Sequence, residues 1–444
     1  MPIRPLSGKI PGIFTKPILV NIILLTNALV WYGFAIDFLE KNVATLNLAF
    51  FPNLLIWSTH FLTLIFSALL GASLTKRIGG RTRFLIVWMI LGIIAPFVSF
   101  IPNATDMSGV ILLCVVFGFS FGFGMPNCMG YYTRLSSIEN RGKIGGLIIL
   151  FTGLSSVGLG LIFSVENILL QVSILAIWRA MGLLFFLGFK PRETTSEAKK
   201  VYSYRKLIGQ RPFVLYLIPW IMFSLLNYLT TPVQTDALDG TVLANLQIIG
   251  NIFLGGSAIV GGFLMDSMGR KRMAILGFVM LGLSYSILGF FQDISIWYFH
   301  TIINGISWGI LYVLFVLTVW GDLSNGVSSD KYYALGVVPF FGSKFLELII
   351  NTQIVAAIPA TAIFSFTALF LFLAVLPLVY APETLPEKTM KDRELKNYIE
   401  KAQKEVEKVQ KKEVESTPQE NRDAGVEFEG EDFDEILKQA EKYY

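Results

Sequence analysis

The sequence predicts an all-α polytopic membrane protein with twelve transmembrane helices arranged as two six-helix bundles. An apolar composition, twelve long apolar segments and basic residues in every second loop predict the helices and their orientation. A basic turn repeated at an interval of 190 residues predicts the two halves. Of the 444 residues, 54% are hydrophobic and only 15% are charged. A soluble domain has too little interior to hide so much apolar surface, so we expect the chain to lie in a membrane.

The apolar segments are long enough to cross a bilayer, because a spanning helix needs about 20 mainly apolar residues. The first follows Arg4, Lys9 and Lys16 and is too long for the apolar region of a signal peptide, so we expect a permanent helix. The outward-apolar alternation of a transmembrane barrel is not seen. The twelve predicted spans are 17–39, 50–74, 82–101, 108–131, 142–164, 167–189, 211–236, 243–265, 273–292, 294–321, 331–353 and 355–381.

The placement of basic residues predicts the orientation. Residues 1–381 contain 24 lysines and arginines, and 21 of them lie before the first span or in every second loop. The alternate loops hold only Lys41, while Arg179 and Lys344 lie inside spans. Because cytoplasmic loops carry the excess of Lys and Arg, we expect both termini in the cytoplasm. The expected location is the plasma membrane, with multiple passes.

Composition also divides the chain into four expected regions. These are an N-terminal half (1–189), a cytoplasmic connecting loop (190–210), a C-terminal half (211–381) and a charged cytosolic tail (382–444). The tail holds 12 basic and 18 acidic residues. Apolar residues at helical spacing predict a charged helix near 390–412. The tail is either simply solvated or docks a protein partner.

A short basic turn follows the second span of each half. The copy at 262–272 reads Gly-Phe-Leu-Met-Asp-Ser-Met-Gly-Arg-Lys-Arg, and an echo at 72–81 reads Ala-Ser-Leu-Thr-Lys-Arg-Ile-Gly-Gly-Arg. Gly262 and Gly269 permit a tight turn and the close approach of a neighbouring helix. Asp266 can face a helix N-terminus or the basic cluster. The alternative is that these basic residues only set topology.

With these residues the chain resembles the major facilitator superfamily. The family signature in both loops reads Gly-x-Leu-x-Asp-(Arg or Lys)-x-Gly-(Arg or Lys)-(Arg or Lys). The second copy matches it at Gly262, Leu264, Asp266, Gly269, Arg270 and Lys271, and departs from it at Ser267. The first copy matches it at Leu74, Arg77, Gly79 and Arg81, and departs from it at Ala72, Lys76 and Gly80. A Pro-Glu-Thr segment at 382–384 looks like the one found after helix 12 in sugar and organic-ion members.

The resemblance covers about 1–386 and implies two parallel six-helix halves around a central site. It also implies that the paired motif charges act as a latch, which holds the cytoplasmic side shut. Because Lys76 stands where the second copy has Asp266, we expect an asymmetric latch.

Ionisable residues at membrane depth are costly, so each is a candidate for function. Lys344 and Glu347 lie three residues apart on one face of span 11, and we expect them near the midplane as a coupling or binding pair. The alternative is a fixed intrahelical ion pair. His60 on span 2 has a titration range that suits proton coupling, although it could simply hydrogen-bond a neighbouring helix.

Two further charged or titratable residues point away from the central site. Arg179 on span 6 is expected to pair with a polar group of its own half rather than with a substrate. His300 lies in the outer third of span 10, where it could simply reach the interface.

Polar and aromatic residues mark the spans expected to meet at the centre. Each one alone more often makes an interhelical contact. With so many aromatic and so few acidic residues expected there, the cavity favours a neutral or anionic organic solute over a polyvalent cation. The candidates for the cavity wall are Asn27, Asn227, Gln234, Asn304, Trp308 and Tyr312.

We expect a secondary active transporter for a small organic solute, working by alternating access and coupled to a proton or ion gradient. The alternatives are export of amphipathic compounds, or a transport-inactive sensor or scaffold that signals through the tail. No phosphate-binding loop or nucleophile–base pattern occurs, so an enzyme is not expected. We expect no cofactor, no metal and no nucleic-acid partner. The expected partners are the lipid bilayer, the solute and the coupling ion, and the protein is expected to be a monomer.

Overall fold

The computed structural model describes residues 15–75, 80–101, 106–163, 167–189, 202–324, 327–349 and 358–386. Among them the regular elements are helices, and no strand occurs. The motif residues Arg77 and Gly79 lie outside the described residues, as do most of the connecting loop and the predicted tail helix near 390–412.

Each predicted span overlaps one helix, and we number the helices in chain order. A short helix, Tyr204–Ile208, precedes the second half. The long helices are α1 (Lys16–Ala44), α2 (Phe50–Leu74), α3 (Arg81–Phe100, its last turn a 3₁₀ helix), α4 (Met107–Leu135), α5 (Arg141–Phe163), α6 (Ile168–Gly188), α7 (Arg211–Ala237), α8 (Gly240–Met268), α9 (Arg270–Phe290), α10 (Ile294–Ser324), α11 (Asp330–Ile349) and α12 (Ala360–Tyr380).

Eleven of these helices are long and apolar enough to cross a membrane. The twelfth, α11, carries Lys331, Lys344 and Glu347 along its length. It can hold these charges because it packs against α2, α4 and α7, and none of its described residues is exposed. An interior helix does not need the uniformly apolar surface that lipid requires.

The helices form two bundles of six. In the first, α1 packs on α4, α5 and α6, α2 on α4, and α3 on α6. In the second, α8 packs on α10, α9 on α10 and α12, and α7 on α11. The bundles meet along α5 with α8 and along α2 with α11. The chain is therefore built as the repeated basic turn predicts.

A glycine with the same backbone conformation precedes the third helix of each half. Gly80 before α3 and Gly269 before α9 have φ angles of 105° and 104°, a region that residues with a Cβ rarely adopt. At Gly269 this backbone conformation lets α9 start at Arg270, directly after α8 ends at Met268. We call the end of the molecule where α3, α5, α9 and α11 begin the motif end, and the opposite end the far end.

Candidate functional site

Asp266 ties the two halves together at the motif end. It lies near the C-terminus of α8 and is fully buried. Its carboxylate accepts hydrogen bonds from the backbone N–H groups of Gly142 (2.9 Å) and Lys143 (2.8 Å), at the start of α5 in the other half. The first N–H groups of a helix lack internal partners and carry a partial positive charge. Asp266 therefore caps a helix that belongs to the opposite bundle.

Arg270 extends this contact into a buried charge network. Its guanidinium bonds the carboxylates of Asp266 (2.6 Å) and Asp322 (3.0 Å), and it also donates to the carbonyl oxygen of Ile138 in the first half (2.6 Å). Asp322 near the end of α10 is paired in turn with Arg141 at the start of α5. Two arginines and two aspartates thus join the halves with their charges balanced.

The segment after α12 completes the network, which the Pro-Glu-Thr resemblance did not reveal. Glu383 accepts hydrogen bonds from the backbone N–H groups of Arg270 (2.8 Å) and Lys271 (3.1 Å), so it caps α9. The hydroxyl of Thr384 donates to Asp322 (3.2 Å). The segment after α12 therefore binds both the start of α9 and the end of α10.

The first copy of the motif makes a smaller contact between the halves. Arg81 at the start of α3 forms a buried ion pair with Asp330 at the start of α11, with 2.6 Å between Nη2 and Oδ2. It also donates to the carbonyl oxygen of Asn127 (3.2 Å). Leu74 ends α2 beside this turn. Among the described residues, one ion pair joins the halves at this seam between α3 and α11. A network of four charged residues joins them at the start of α5.

The short helix Tyr204–Ile208 lies across the same seam. The phenol of Tyr204 donates to the carbonyl oxygen of Leu69 on α2 (2.5 Å), and the ammonium of Lys331 on α11 lies 4.9 Å from its ring centroid. Burial raises the pKa of Tyr204, so the phenol keeps its proton and remains a donor. One side chain of the connecting segment thus touches both bundles.

The seam between α5 and α8 is tight at the motif end and open at the far end. Gly262 packs directly on the backbone of Gly142, and a Cβ added at Gly262 would overlap that backbone. Farther along the same face of α5, no atom lies within 4 Å of a Cβ built at Gly153 or Gly160. The two helices therefore diverge from the motif end towards the far end.

Lys344 is shared by two carboxylates, one from each half. Its ammonium lies 3.2 Å from Glu347 on the same helix and 3.4 Å from Glu40 on α1. The three side chains are 24–35% exposed. The pair lies nearer the far end than we expected, because its partner Glu40 is close to the far-end terminus of α1. The carbonyl oxygen of the next residue, Leu348, accepts from Asn53 near the far-end start of α2 (3.5 Å).

The exposed residues of α1 form one stripe, which runs towards Lys344, Glu347 and Glu40. We call these three residues the Lys344 cluster. Between Ile18 and Val43, most of α1 is buried, and the residues classed as exposed are Gly33, Asp37 and Lys41. Asp37 lies within electrostatic range of Lys344 and Lys41. Where we expected few acidic residues, Glu40 and Glu347 pair with one lysine and Asp37 lies within its electrostatic range. The spacing of Asp37 and Glu40, at one face of the first span, was the signal that could have shown it.

His60 lies behind the wall of α1 and is fully buried. Its Nδ1 is 3.0 Å from the carbonyl oxygen of Cys114, and its Nε2 is 3.5 Å from the phenol oxygen of Tyr32. A carbonyl only accepts, so Nδ1 carries the proton and Nε2 accepts from Tyr32. Tyr32 is in electrostatic range of Glu40. His60 therefore stands one residue away from the Lys344 cluster.

Asn27 is not placed with the other cavity candidates. Its amide oxygen accepts from Arg179 (2.9 Å), and its amide nitrogen donates to the carbonyl oxygen of Trp178 (2.6 Å). The guanidinium of Arg179 also lies 4.1 Å from the ring centroid of Trp88. Arg179 thus pairs with a polar group of its own half, and that group is Asn27.

Two polar groups lie inside the second half. In one, Gln234 on α7 donates to the phenol of Tyr285 (3.4 Å). In the other, His300 bonds the hydroxyl of Ser284 (2.7 Å) and lies 3.4 Å from the amide of Asn304. His300 is 2% exposed, so the expectation that it reaches the interface is wrong.

Aromatic rings connect these groups to the centre. Trp308 and Tyr312 on α10 pack on Phe340 of α11, with ring centroids 5.9 and 5.3 Å apart. Tyr228 on α7 also packs on Phe340 (5.8 Å) and lies in electrostatic range of Glu347. Asn227, the residue before it, is half-buried. The structure therefore brings α7, α10 and α11 together beside the Lys344 cluster.

Comparisons with known proteins agree with this architecture. A family model described as Major Facilitator Superfamily matches residues 58–321. No curated protein sequence matches the chain. The human organic anion transporter MFSD10 aligns with a TM-score of 0.62 at 12% identity, over 82% of this chain and 99% of its own.

Two other solved structures are similar. The proton:xylose symporter XylE aligns with a TM-score of 0.63 at 16% identity, over 83% of this chain and 96% of its own. The Escherichia coli fucose:proton symporter FucP gives 0.64 at 13%, over 82% and 98%. At these identities the likeness concerns the fold.

Proposed function

The chain belongs to the Major Facilitator Superfamily, and from that premise we propose that it is a secondary active transporter that moves a small organic solute by alternating access. The solute crosses between the two bundles, and a proton or another ion gradient drives it. Both termini lie in the cytoplasm, so the motif end faces the cytoplasm, and the protein resides in the plasma membrane as a monomer.

The observation that carries this proposal is the unequal contact between the halves along α5 and α8. Hydrogen bonds and ion pairs close the motif end, where Asp266 caps α5. The same helices part towards the far end, beyond Gly153. Polar contacts can break and re-form without a permanent apolar interface, which suits two bundles that rock about a central site. The seam between α5 and α8 is thus closed on the motif side.

The Lys344 cluster supports coupling to an ion. It lies between the bundles, is partly exposed and combines carboxylates with one ammonium group. Ionisable groups in such a position are retained in membrane proteins chiefly for ion or substrate pathways. The excess of carboxylates around Lys344 favours a neutral or cationic organic solute over an anionic one. The nearby rings of Tyr228 and Phe340 offer it an apolar wall.

Transport by the purified full-length protein in proteoliposomes tests the proposal. Candidate solutes come from a thermal-shift screen over a metabolite panel, because a ligand selective for the native state raises its stability. Uptake or release of a stabilising solute, with a dependence on an imposed pH or ion gradient, is the expected result. Absence of flux for every stabilising solute, with a partner recovered on residues 388–444, would favour a sensor or scaffold instead.

A further inference from the structure

We infer that Glu40 is the coupling carboxylate of this transporter, and that its protonation releases Lys344 from the first half and separates the bundles at the far end. The inference rests on the proposed function. It concerns a residue on α1 that the sequence did not single out.

Lys344 pairs with two carboxylates, and the two differ in which bundle carries them. Glu347 and Lys344 lie on one helix, three residues apart, so their contact persists when α11 moves as a rigid body. Glu40 lies on α1 in the other bundle, so its contact with Lys344 exists only while the bundles are close at this level. Of these two contacts, only the Glu40–Lys344 pair joins the bundles, so its protonation is linked to the distance between them.

The other charged groups around Glu40 are on its own helix and on α11. On α1 these are Asp37 and Lys41, and on α11 they are Lys344 and Glu347. Lys41 is directed elsewhere, because its ammonium donates to the carbonyl oxygen of Phe163 (3.4 Å) and lies over that ring. Lys344 is accordingly the cation that balances Glu40.

Protonation has a defined consequence in this arrangement. A neutral Glu40 carboxyl loses its attraction for the Lys344 ammonium, which keeps Glu347 as its partner. The phenol of Tyr32 lies in electrostatic range of Glu40, and its oxygen is 3.5 Å from Nε2 of His60. Because all three cluster side chains are about one-quarter to one-third exposed, protons can reach them from the far end. An ion pair of this exposure changes a conformational equilibrium by up to about fivefold.

The experiment measures the distance between the halves without needing a substrate. Spin labels are placed at Thr45 and Gln292, two exposed far-end positions in different bundles, in protein whose Cys114 and Cys128 are replaced by alanine. Distance distributions are recorded in nanodiscs at about pH 8 and about pH 5, values that bracket carboxyl titration. We expect the population at the shorter distance to fall at the lower pH.

Three variants make the test specific. Glu40→Gln should show the low-pH distribution already at the higher pH and should lose the response. Glu347→Gln should keep a response, and Glu40→Asp, which remains titratable, should keep it too. Asp293→Asn, an exposed far-end carboxylate, serves as the matched control and should respond like the parent protein.

A pH response that survives in Glu40→Gln, or one that disappears in Glu347→Gln alone, would overturn the inference. So would a distance change driven by Na⁺ at constant pH. Flux is measured in a separate experiment. The proposed transport function and the role of Glu40 can therefore be contradicted independently. A protein that responds to pH through Glu40 but moves no solute would contradict the proposed function and leave this inference standing.

Discussion

Arg81 of the first bundle and Asp330 of the second form an ion pair in which both side chains are less than one-tenth exposed. Its atoms lie where the repeated turn of the first half meets the start of α11. Asp330 also accepts from the hydroxyl of Ser328 (2.9 Å). Through this pair, the copy of the motif that matches the family signature less well also contacts the other half.

Removal of one partner of this pair should destabilise the protein. Arg81→Gln leaves a buried carboxylate unbalanced, and the cost of such a change is about 3–5 kcal/mol. Asp330→Asn should cost a similar amount, because it leaves the buried guanidinium of Arg81 without its counter-charge. The double variant should cost less than the two single changes together, since no lone charge remains. Thermal unfolding in detergent gives all three values, and strictly additive losses would contradict a direct pair.

Asp266→Asn should weaken the closed motif end. The amide keeps one acceptor oxygen for the N–H of Gly142 but loses the charge that balances Arg270. The measurement uses Met129→Cys, at a position that is 1% exposed. This cysteine should react with a water-soluble maleimide several-fold faster when Asp266→Asn is also present than when it is absent. Unchanged labelling in Asp266→Asn would show that this carboxylate does not hold the end closed.

Gly262→Leu should block the approach of α5 to α8. A Cβ at Gly262 already overlaps the backbone of Gly142, so a larger side chain must push the helices apart. The expected result is loss of the closed motif end, seen again as faster labelling at Met129→Cys. Gly158→Leu is the matched control on α5, because no atom lies near its Cβ position, and it should label like the parent.

Arg179→Lys should destabilise the first bundle without changing transport. Lysine cannot reproduce the planar stack on Trp88 or the aligned bond to Asn27, so the loss should be about 2 kcal/mol, the size of a desolvated cation–π contact. Arg179→Met combined with Asn27→Leu removes the charge and its partner together and should recover part of that loss. A large change in flux with unchanged unfolding temperature would instead place Arg179 in the transport path.

The helices, the repeat and the family follow from the sequence because they depend on local patterns. Span length, the second-loop charge bias and the turn at 262–272 each need only neighbouring residues. The partners of Asp266 could be named only as a class, a helix N-terminus or a basic cluster. The structure shows that it contacts both, through Gly142 and Arg270.

The candidate site was harder to predict because it depends on which helix faces which. Lys344 and Glu347 were visible as charges in an apolar span, but Glu40 lies one residue beyond the first predicted span, 17–39, and was not a candidate. Asn27 resembled a cavity residue until its partner on α6 was known. Tertiary contacts between residues more than 100 positions apart decide these roles, and no local pattern reports them.

Glu383 gives the charge network a consequence for biosynthesis. The residue that caps α9 follows α12, so it leaves the ribosome after all twelve helices have been made. Until then the N-terminus of α9 lacks this partner and Asp322 lacks the hydroxyl of Thr384. The two bundles can therefore insert and fold while this junction is still incomplete, and full assembly of the motif end is among the last steps in making the protein.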